Sequence, residues 1–189
     1  MKIRDSGMPG EGIWSSFFSP IKSLQQLGFA LKYGDVVDMG CGYGTFSVAA
    51  AQLTRGLVHA LDLDPHMINA TVTNAQRSGL NNIRATQRDF LSNGTGLPEG
   101  AMGYAMLFNV LHAEDPLTLL REALLTLEPG GVVAVMHWKH EQTPRGPALS
   151  IRPRPEQCAT WLADAGFASV SPVIDLPPFH YGLFATKSD

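Results

Sequence analysis

The chain has 189 residues, with 17 acidic side chains against 14 Lys and Arg and a formal net charge of −3 at pH 7. At roughly 100–200 residues per domain, this length predicts one domain, able to bury about 70% of its unfolded surface without a metal or disulfide staple. A hydrophobic content of 44% excludes disorder, and the mild acidity argues against a general nucleic-acid binder.

Cys41 and Cys158 are the only cysteines, too few for a disulfide framework, which points to a reducing compartment. The opening residues lack the apolar core of a secretory signal, and no run approaches the ~18 apolar residues of a membrane span. The expectation is a soluble cytoplasmic protein, monomer or homodimer, with no membrane span and no metal.

Residues 1–18 read as a mobile arm ending in the aromatics Trp14, Phe17 and Phe18. Ser19-Pro20 opens a short helix, with Ser as N-cap and Pro at the first helical position. From residue 35 the chain alternates between two patterns. Short apolar strands are predicted over 36–39, 57–63, 83–88, 104–109 and 132–138. Helices are predicted over 45–53, 65–78, 116–127 and 155–165, with Gly79, Pro129-Gly130-Gly131 and Gly166 as stops. Two last strands, near 168–175 and 179–186, flank Pro177-Pro178.

Continuous apolar strands separated by helices predict an α/β fold with a parallel sheet covered on both faces, and an antiparallel C-terminal hairpin at one edge. The segment 138–154 is the long irregular stretch. It carries Lys139, Arg145, Arg152 and Arg154 against the single acid Glu141. With residues 1–30 as an arm or lid, this basic loop is expected to lie over a pocket.

The strongest chemical signal is Val36-Val37-Asp38-Met39-Gly40-Cys41-Gly42-Tyr43-Gly44, a strand, a glycine turn and a helix start. Glycines let a backbone turn sharply and approach a ligand closely, and the helix start offers free N–H groups. Asp62 ends the next strand, 20 residues after Gly42, where a carboxylate can accept two ribose hydroxyls. A plain tight turn and a solvated or capping Asp62 are the structural alternatives. Asp64, before Pro65, is the better N-cap of the two acids. A nicotinamide site also uses a glycine turn and a distant acid, but its third glycine would fall where Thr45 stands.

This pattern resembles the class I S-adenosylmethionine-dependent methyltransferases, nearest the ubiquinone/menaquinone-biosynthesis-like type 11 group. The resemblance rests on five segments in order: Asp38 to Gly44, Ala60 to Pro65, Asp89-Phe90, Phe108 to His112, and Leu119 to Gly131. It implies a Rossmann-like doubly wound sheet in the order 3-2-1-4-5-7-6, with S-adenosylmethionine as cofactor. It also implies that Asp38, Gly40, Gly42 and Gly44, with Cys41 in the same turn, hold the methionine part. Asp62 would bind the ribose, Leu63 the adenine face, and Asp89 and Phe90 the adenine edge. The Asn109 backbone would lie beside the methionine.

A methyl transfer is a direct displacement driven by positioning, so no catalytic signature is required. His112 and His137, near the carboxyl ends of two strands, are candidate proton acceptors, with a packing role as the alternative. Trp14, Trp138 and Arg145 are candidate acceptor contacts. Residues 109–112 lack the D/N-P-P-Y/F segment of nucleic-acid amino methyltransferases, so a small-molecule acceptor is expected, with no nucleic acid. A nicotinamide-dependent oxidoreductase and a non-catalytic cofactor-binding protein are the competing readings.

Overall fold

The computed structural model describes residues 7–31 and 33–188, so residues 1–6 of the expected arm lie outside the described residues. Seven strands form one sheet: β1 (Val36–Met39), β2 (Val58–Asp62), β3 (Ile83–Gln87), β4 (Met102–Phe108), β5 (Leu127–Trp138), β6 (Ile174–Leu176) and β7 (His180–Thr186). Their order is β3-β2-β1-β4-β5-β7-β6, as the resemblance implies. The first five run parallel, and β7 runs antiparallel to both β5 and β6.

The central strands read as unbroken apolar runs because both faces are covered. Along β4, Ala105 and Leu107 face one core while Tyr104, Met106 and Phe108 face the other. Helices α6 (Pro116–Thr126) and α7 (Pro155–Ala165) cover the first face. Helices α2 (Pro20–Gln26) and α3 (Thr45–Leu53) cover the second, and α4 (Pro65–Arg77) packs beside α3. The first arm helix, α1 (Glu11–Ser15), buries only Trp14.

Several local expectations are corrected. Ser19 stands at the N-cap of α2, but its side chain makes no cap bond. Pro129-Gly130-Gly131 lies inside β5 rather than in a turn, because α6 already ends at Thr126 and the strand starts at Leu127. The strand expected over 168–175 shrinks to Ile174–Leu176 plus an isolated bridge from Ala168 to Thr186. Ser169 has a left-handed backbone (φ 50°) and Pro172 lacks an N–H, so the ladder cannot run through. A short helix that the sequence reading missed, α5 (Phe90–Asn93), follows β3.

The chain passes from β1 to β2 on one side and later returns to β4 on the other. This reversal opens a crevice at the carboxyl ends of β1 and β4, where doubly wound sheets bind ligands.

Candidate functional site

Each parallel strand of the left half delivers an acid or a glycine to this crevice. Asp38, in β1, is 2% exposed, and its Oδ2 accepts a hydrogen bond from the Ser47 hydroxyl of α3 at 2.5 Å. Burial is the main cause that pushes its carboxyl up to about 7. The Ser47 bond opposes the rise, and the nearby Asp62 charge adds to it.

Gly40, Gly42 and Gly44 all have positive φ, at 89°, 54° and 76°. At Gly40 a Cβ would stand 2.5 Å from Val110 Cγ1, so only glycine lets the turn approach the β4 loop. At Gly44 a Cβ would stand 2.8 Å from Thr71, so this glycine seats α3 against α4. Of the expected turn residues, Gly40, Cys41 and Gly42 border the cavity described below, and Gly44 stands behind it. The Cys41 thiol lies 3.5 Å from Thr71 Oγ1, and burial pushes its pKa well up, so it is an inert packing group.

Asp62 caps the turn. Its Oδ2 accepts from Gly42 N–H and its Oδ1 from Asp64 N–H, both at 2.9 Å. Each oxygen keeps a further lone pair for a hydroxyl. Asp64 behaves as the sequence predicts, its Oδ1 accepting from His66 N–H at 2.8 Å at the start of α4. Asp89 is the N-cap of α5, accepting from Ser92 N–H at 3.0 Å, and that bond holds its carboxyl below the usual range.

These groups open onto one cavity of about 640 Å³. Asp38, Asp62, Leu63, Asp89 and Phe90 border it on the glycine-turn side. Phe108, Asn109, His112 and Trp138 border it from β4, β5 and the loop after β4, in the other half of the sheet, and Trp14 and Phe46 border it from α1 and α3. Phe46 and Met8, which the sequence reading missed, come from the α3 face and from the arm, two elements that only the tertiary fold brings here.

The structure separates the two expected histidines. His112 borders the cavity, whereas His137 is 1% exposed behind it. Their rings meet at 3.3 Å through His112 Nδ1 and His137 Nε2. Burial, and then the neighbouring His112, push the His137 pKa well below its ordinary value, so this ring is neutral near pH 7. Trp14 packs edge-on against Phe18, 4.8 Å between centroids, and tilts over Trp138 at 6.3 Å.

Arg145 does not border the cavity. Its side chain points to solvent, and its carbonyl accepts from Arg152 Nη2 at 3.0 Å. The basic loop is correspondingly less basic than its composition suggests. Arg152 is 7% exposed and also donates to the carbonyls of Pro147, Lys139 and Glu141 and to the Thr143 hydroxyl. Its guanidinium lies 5.5 Å from the Trp138 ring centroid. Lys139 pairs with Asp175 at 2.7 Å.

A family model described as a methyltransferase domain matches residues 36–131, half of the chain. The chain belongs to the methyltransferase domain family. Its sheet has the class I methyltransferase order, and membership of the methyltransferase domain family makes S-adenosylmethionine its cofactor, which removes the nicotinamide reading. The residues present fit that cofactor. Gly40 leaves open the space a side chain would fill, Asp62 offers two lone pairs for ribose hydroxyls, and the buried Asp38 carboxyl can meet an ammonium group.

The domain is 36% identical over 106 residues to the ribosomal protein L11 methyltransferase of Methylococcus capsulatus, covering 56% of this chain and 33% of that protein. It is 31% identical over 136 residues to the enzyme of that name from Dechloromonas aromatica, covering 69% of this chain and 43% of the relative. The chain thus spans a third to two-fifths of the length of these relatives. A SAM-dependent methyltransferase of Aquifex aeolicus shares the fold, with a TM-score of 0.81, 24% identity and 90% of each chain covered.

The expectation of a small-molecule acceptor is corrected here, because these relatives are named for a protein substrate. The motifs behind that expectation describe the cofactor end of the site and carry no information about the acceptor. Among the described residues no helix is long and apolar enough to cross a membrane.

Proposed function

We propose that this chain transfers a methyl group from S-adenosylmethionine to a protein acceptor. The observation that carries the transfer is the single cavity shared by the buried Asp38 carboxyl, the glycine turn and Asp62. The named substrate of the curated relatives supports a protein acceptor, and ribosomal protein L11 is the first candidate.

When bound, the cofactor supplies an electrophilic methyl on a positively charged sulfur. The residues of the chain bind and orient around it. Asp38 meets the amino end once ionised, Asp62 accepts from the ribose, and Leu63, Asp89 and Phe90 form the adenine side. At the other end, Trp14, Phe108 and Trp138 exclude water, which strengthens every polar contact inside. Alignment of this kind can supply on the order of 7–11 kcal/mol of barrier reduction. His112, with its ring held by the buried neutral His137, is placed to take a proton after transfer.

The arm and the loop over 138–154 act as the lid of the site. Met8 reaches the Gly42 turn, Tyr43 donates to the Pro9 carbonyl at 3.3 Å, and Gly146 N–H donates to the Gly7 carbonyl at 3.2 Å.

Two measurements test the proposal. Calorimetry with S-adenosylhomocysteine, the demethylated product, should show one saturable site. Labelled S-adenosylmethionine should then place label in purified ribosomal protein L11 or another ribosomal protein. No heat with the product would overturn the reading entirely. Binding without label in any ribosomal protein would overturn the acceptor assignment.

A further inference from the structure

Along β7, alternate residues face the side of the sheet that α2 and α3 cover. A Cβ on Gly28 would stand 3.3 Å from Phe184, and one on Gly182 would stand 2.5 Å from Leu27, so the end of α2 closes over these two positions. The next residue in the row is His180, and its cover comes from the arm. Phe18 lies 4.7 Å from it between ring centroids, and Trp14 of α1 meets it edge-on at 6.1 Å. Its cross-strand partners are Trp138 of β5, at 4.3 Å, and Leu176 of β6. His180 is 0% exposed, and neither Nδ1 nor Nε2 has a hydrogen-bond partner.

Buried polar groups are nearly always paired, and a neutral imidazole has a donor and an acceptor to satisfy. Closing the arm strips water from both nitrogens and returns nothing in exchange. The cost rises steeply once the ring is protonated, because a full charge must then be desolvated. No carboxylate offsets that charge. The charged groups acting on the ring are Arg152, from the loop over 138–154, and Lys139, at the end of β5, both cations. Asp175 of β6 is held by Lys139, and Glu11 of α1 is turned to Asn74 Nδ2. Lys22, the one charged residue of α2, is exposed, and His137 of β5 is neutral near pH 7.

Resting on the reading of the arm as a lid, we propose that His180 makes that lid proton-sensitive: the arm shuts over a neutral ring, and a proton on the ring releases it and opens the end of the cavity that Trp14 borders. Burial first, then Arg152 and Lys139, push the covered ring down to about 3 from the ordinary 6.5. With the arm open, the ring takes a proton near its ordinary value. The closed state therefore keeps its full advantage above pH 6.5 and loses about tenfold for each pH unit below that, down to about 3.

Hydrogen exchange on the ligand-free full chain, read by mass spectrometry and corrected for the intrinsic pH dependence of exchange, tests this. The Trp14 and Phe17 amides, bonded to the Gly10 and Trp14 carbonyls, should exchange faster than those of β4, as an arm that opens on its own requires. Their protection should fall about tenfold between pH 7.5 and 5.5. His180→Phe, whose ring takes no proton, should hold that protection constant. If the Phe variant fails to fold, NMR titration of Trp14→Ala, which strips cover from the ring, serves instead: His180 should be protonated at pH 5 there and neutral at pH 5 in the wild type. Wild-type protection independent of pH, or a loss that survives His180→Phe, would overturn the proposal. So would arm amides that exchange only together with β4, or a His180 ring still neutral at pH 5 in Trp14→Ala. None of these readouts involves S-adenosylhomocysteine, so a failure of the proton link is distinguishable from a failure of the methyltransferase reading, which calorimetry decides.

Discussion

The two ends of the cavity are built on opposite principles. At the glycine-turn end the protein satisfies its own polar groups before any ligand arrives. Asp38 has Ser47, Asp62 has two backbone N–H groups, and Asp89 has Ser92. At the other end Asn109 has no partner for its amide, and the walls are aromatic. The first end is preorganised, so a ligand there meets groups already oriented and loses little freedom in ordering them. The second end holds its amide buried and unpaired among aromatic rings. Substitutions at the first end should therefore weaken cofactor binding, and substitutions at the second should change selectivity with the cofactor still bound.

The largest effect is expected at Asp62. Asp62→Ala removes the carboxylate that both braces the Gly42 and Asp64 amides and offers lone pairs to ribose hydroxyls. Charge-assisted hydrogen bonds contribute about 1.5–3 kcal/mol each, so affinity for S-adenosylhomocysteine should fall on the order of 100-fold. Calorimetry checks this, and an unchanged affinity would mean that the glycine-turn end is not the cofactor end.

Next in size is Arg152→Met. Five hydrogen bonds, four of them to loop carbonyls, converge on this buried guanidinium. Removing it takes one donor from each of those acceptors and frees the segment over Trp138. Stability should drop by roughly 2–4 kcal/mol, read by chemical denaturation, and protease cleavage within 139–147 should accelerate. S-adenosylhomocysteine affinity should hold within threefold, because the loop sits at the transfer end. A large loss of affinity would erase the contrast between the two ends.

How much of this was legible in the sequence follows the same division. The glycine turn, Asp62 and the N-cap role of Asp64 were readable because each depends on residues close along the chain, and the sheet order followed from the family resemblance that these local motifs carry. The transfer end joins the arm, β4, β5 and the loop over 138–154, and such contacts leave no local pattern. Thus His112 and His137 looked equivalent as edge histidines, yet one borders the cavity and the other is buried behind it. Arg152 counted as a surface cation, although the loop turns it inward. The Asn109 side chain carried no signal at all. What sets it apart is a positive φ and two unpaired atoms, which only coordinates reveal. The small-molecule acceptor was an inference by elimination, and elimination fails where the sequence says nothing positive.

A moderate effect is expected from pH at the first end. With its carboxyl pushed up to about 7, mainly by burial, Asp38 passes from mostly protonated at pH 6 to mostly ionised at pH 8. The ionised form pairs with the ligand's ammonium, so S-adenosylhomocysteine affinity should rise by up to about tenfold over that range. Stability of the ligand-free protein runs the other way. The folded pKa lies above the ordinary 3.8, so the folded state holds an extra proton in between, and stability falls as pH rises through that window up to about 7. Asp38→Asn should flatten both slopes. A wild-type affinity independent of pH would remove Asp38 from the ammonium contact.

The smallest effect is expected at Arg145, and it completes the contrast with Arg152. Both belong to the same basic loop and look interchangeable by composition. Arg145 contributes its backbone, with the carbonyl accepting from Arg152 Nη2 at 3.0 Å and from the Thr143 hydroxyl at 2.5 Å, while its side chain is exposed. Arg145→Ala keeps both acceptors and removes only a solvated charge. Stability should move by less than about 0.5 kcal/mol, and S-adenosylhomocysteine affinity by less than twofold. Because the same substitution leaves the Arg152 cradle intact, methyl transfer to a protein acceptor should change only if that acceptor is acidic. In that case the loss should appear in KM and shrink as salt is raised, since an exposed pairing is screened. A change in kcat at constant KM would instead place Arg145 among the groups that touch the reacting atoms, against the geometry of the loop.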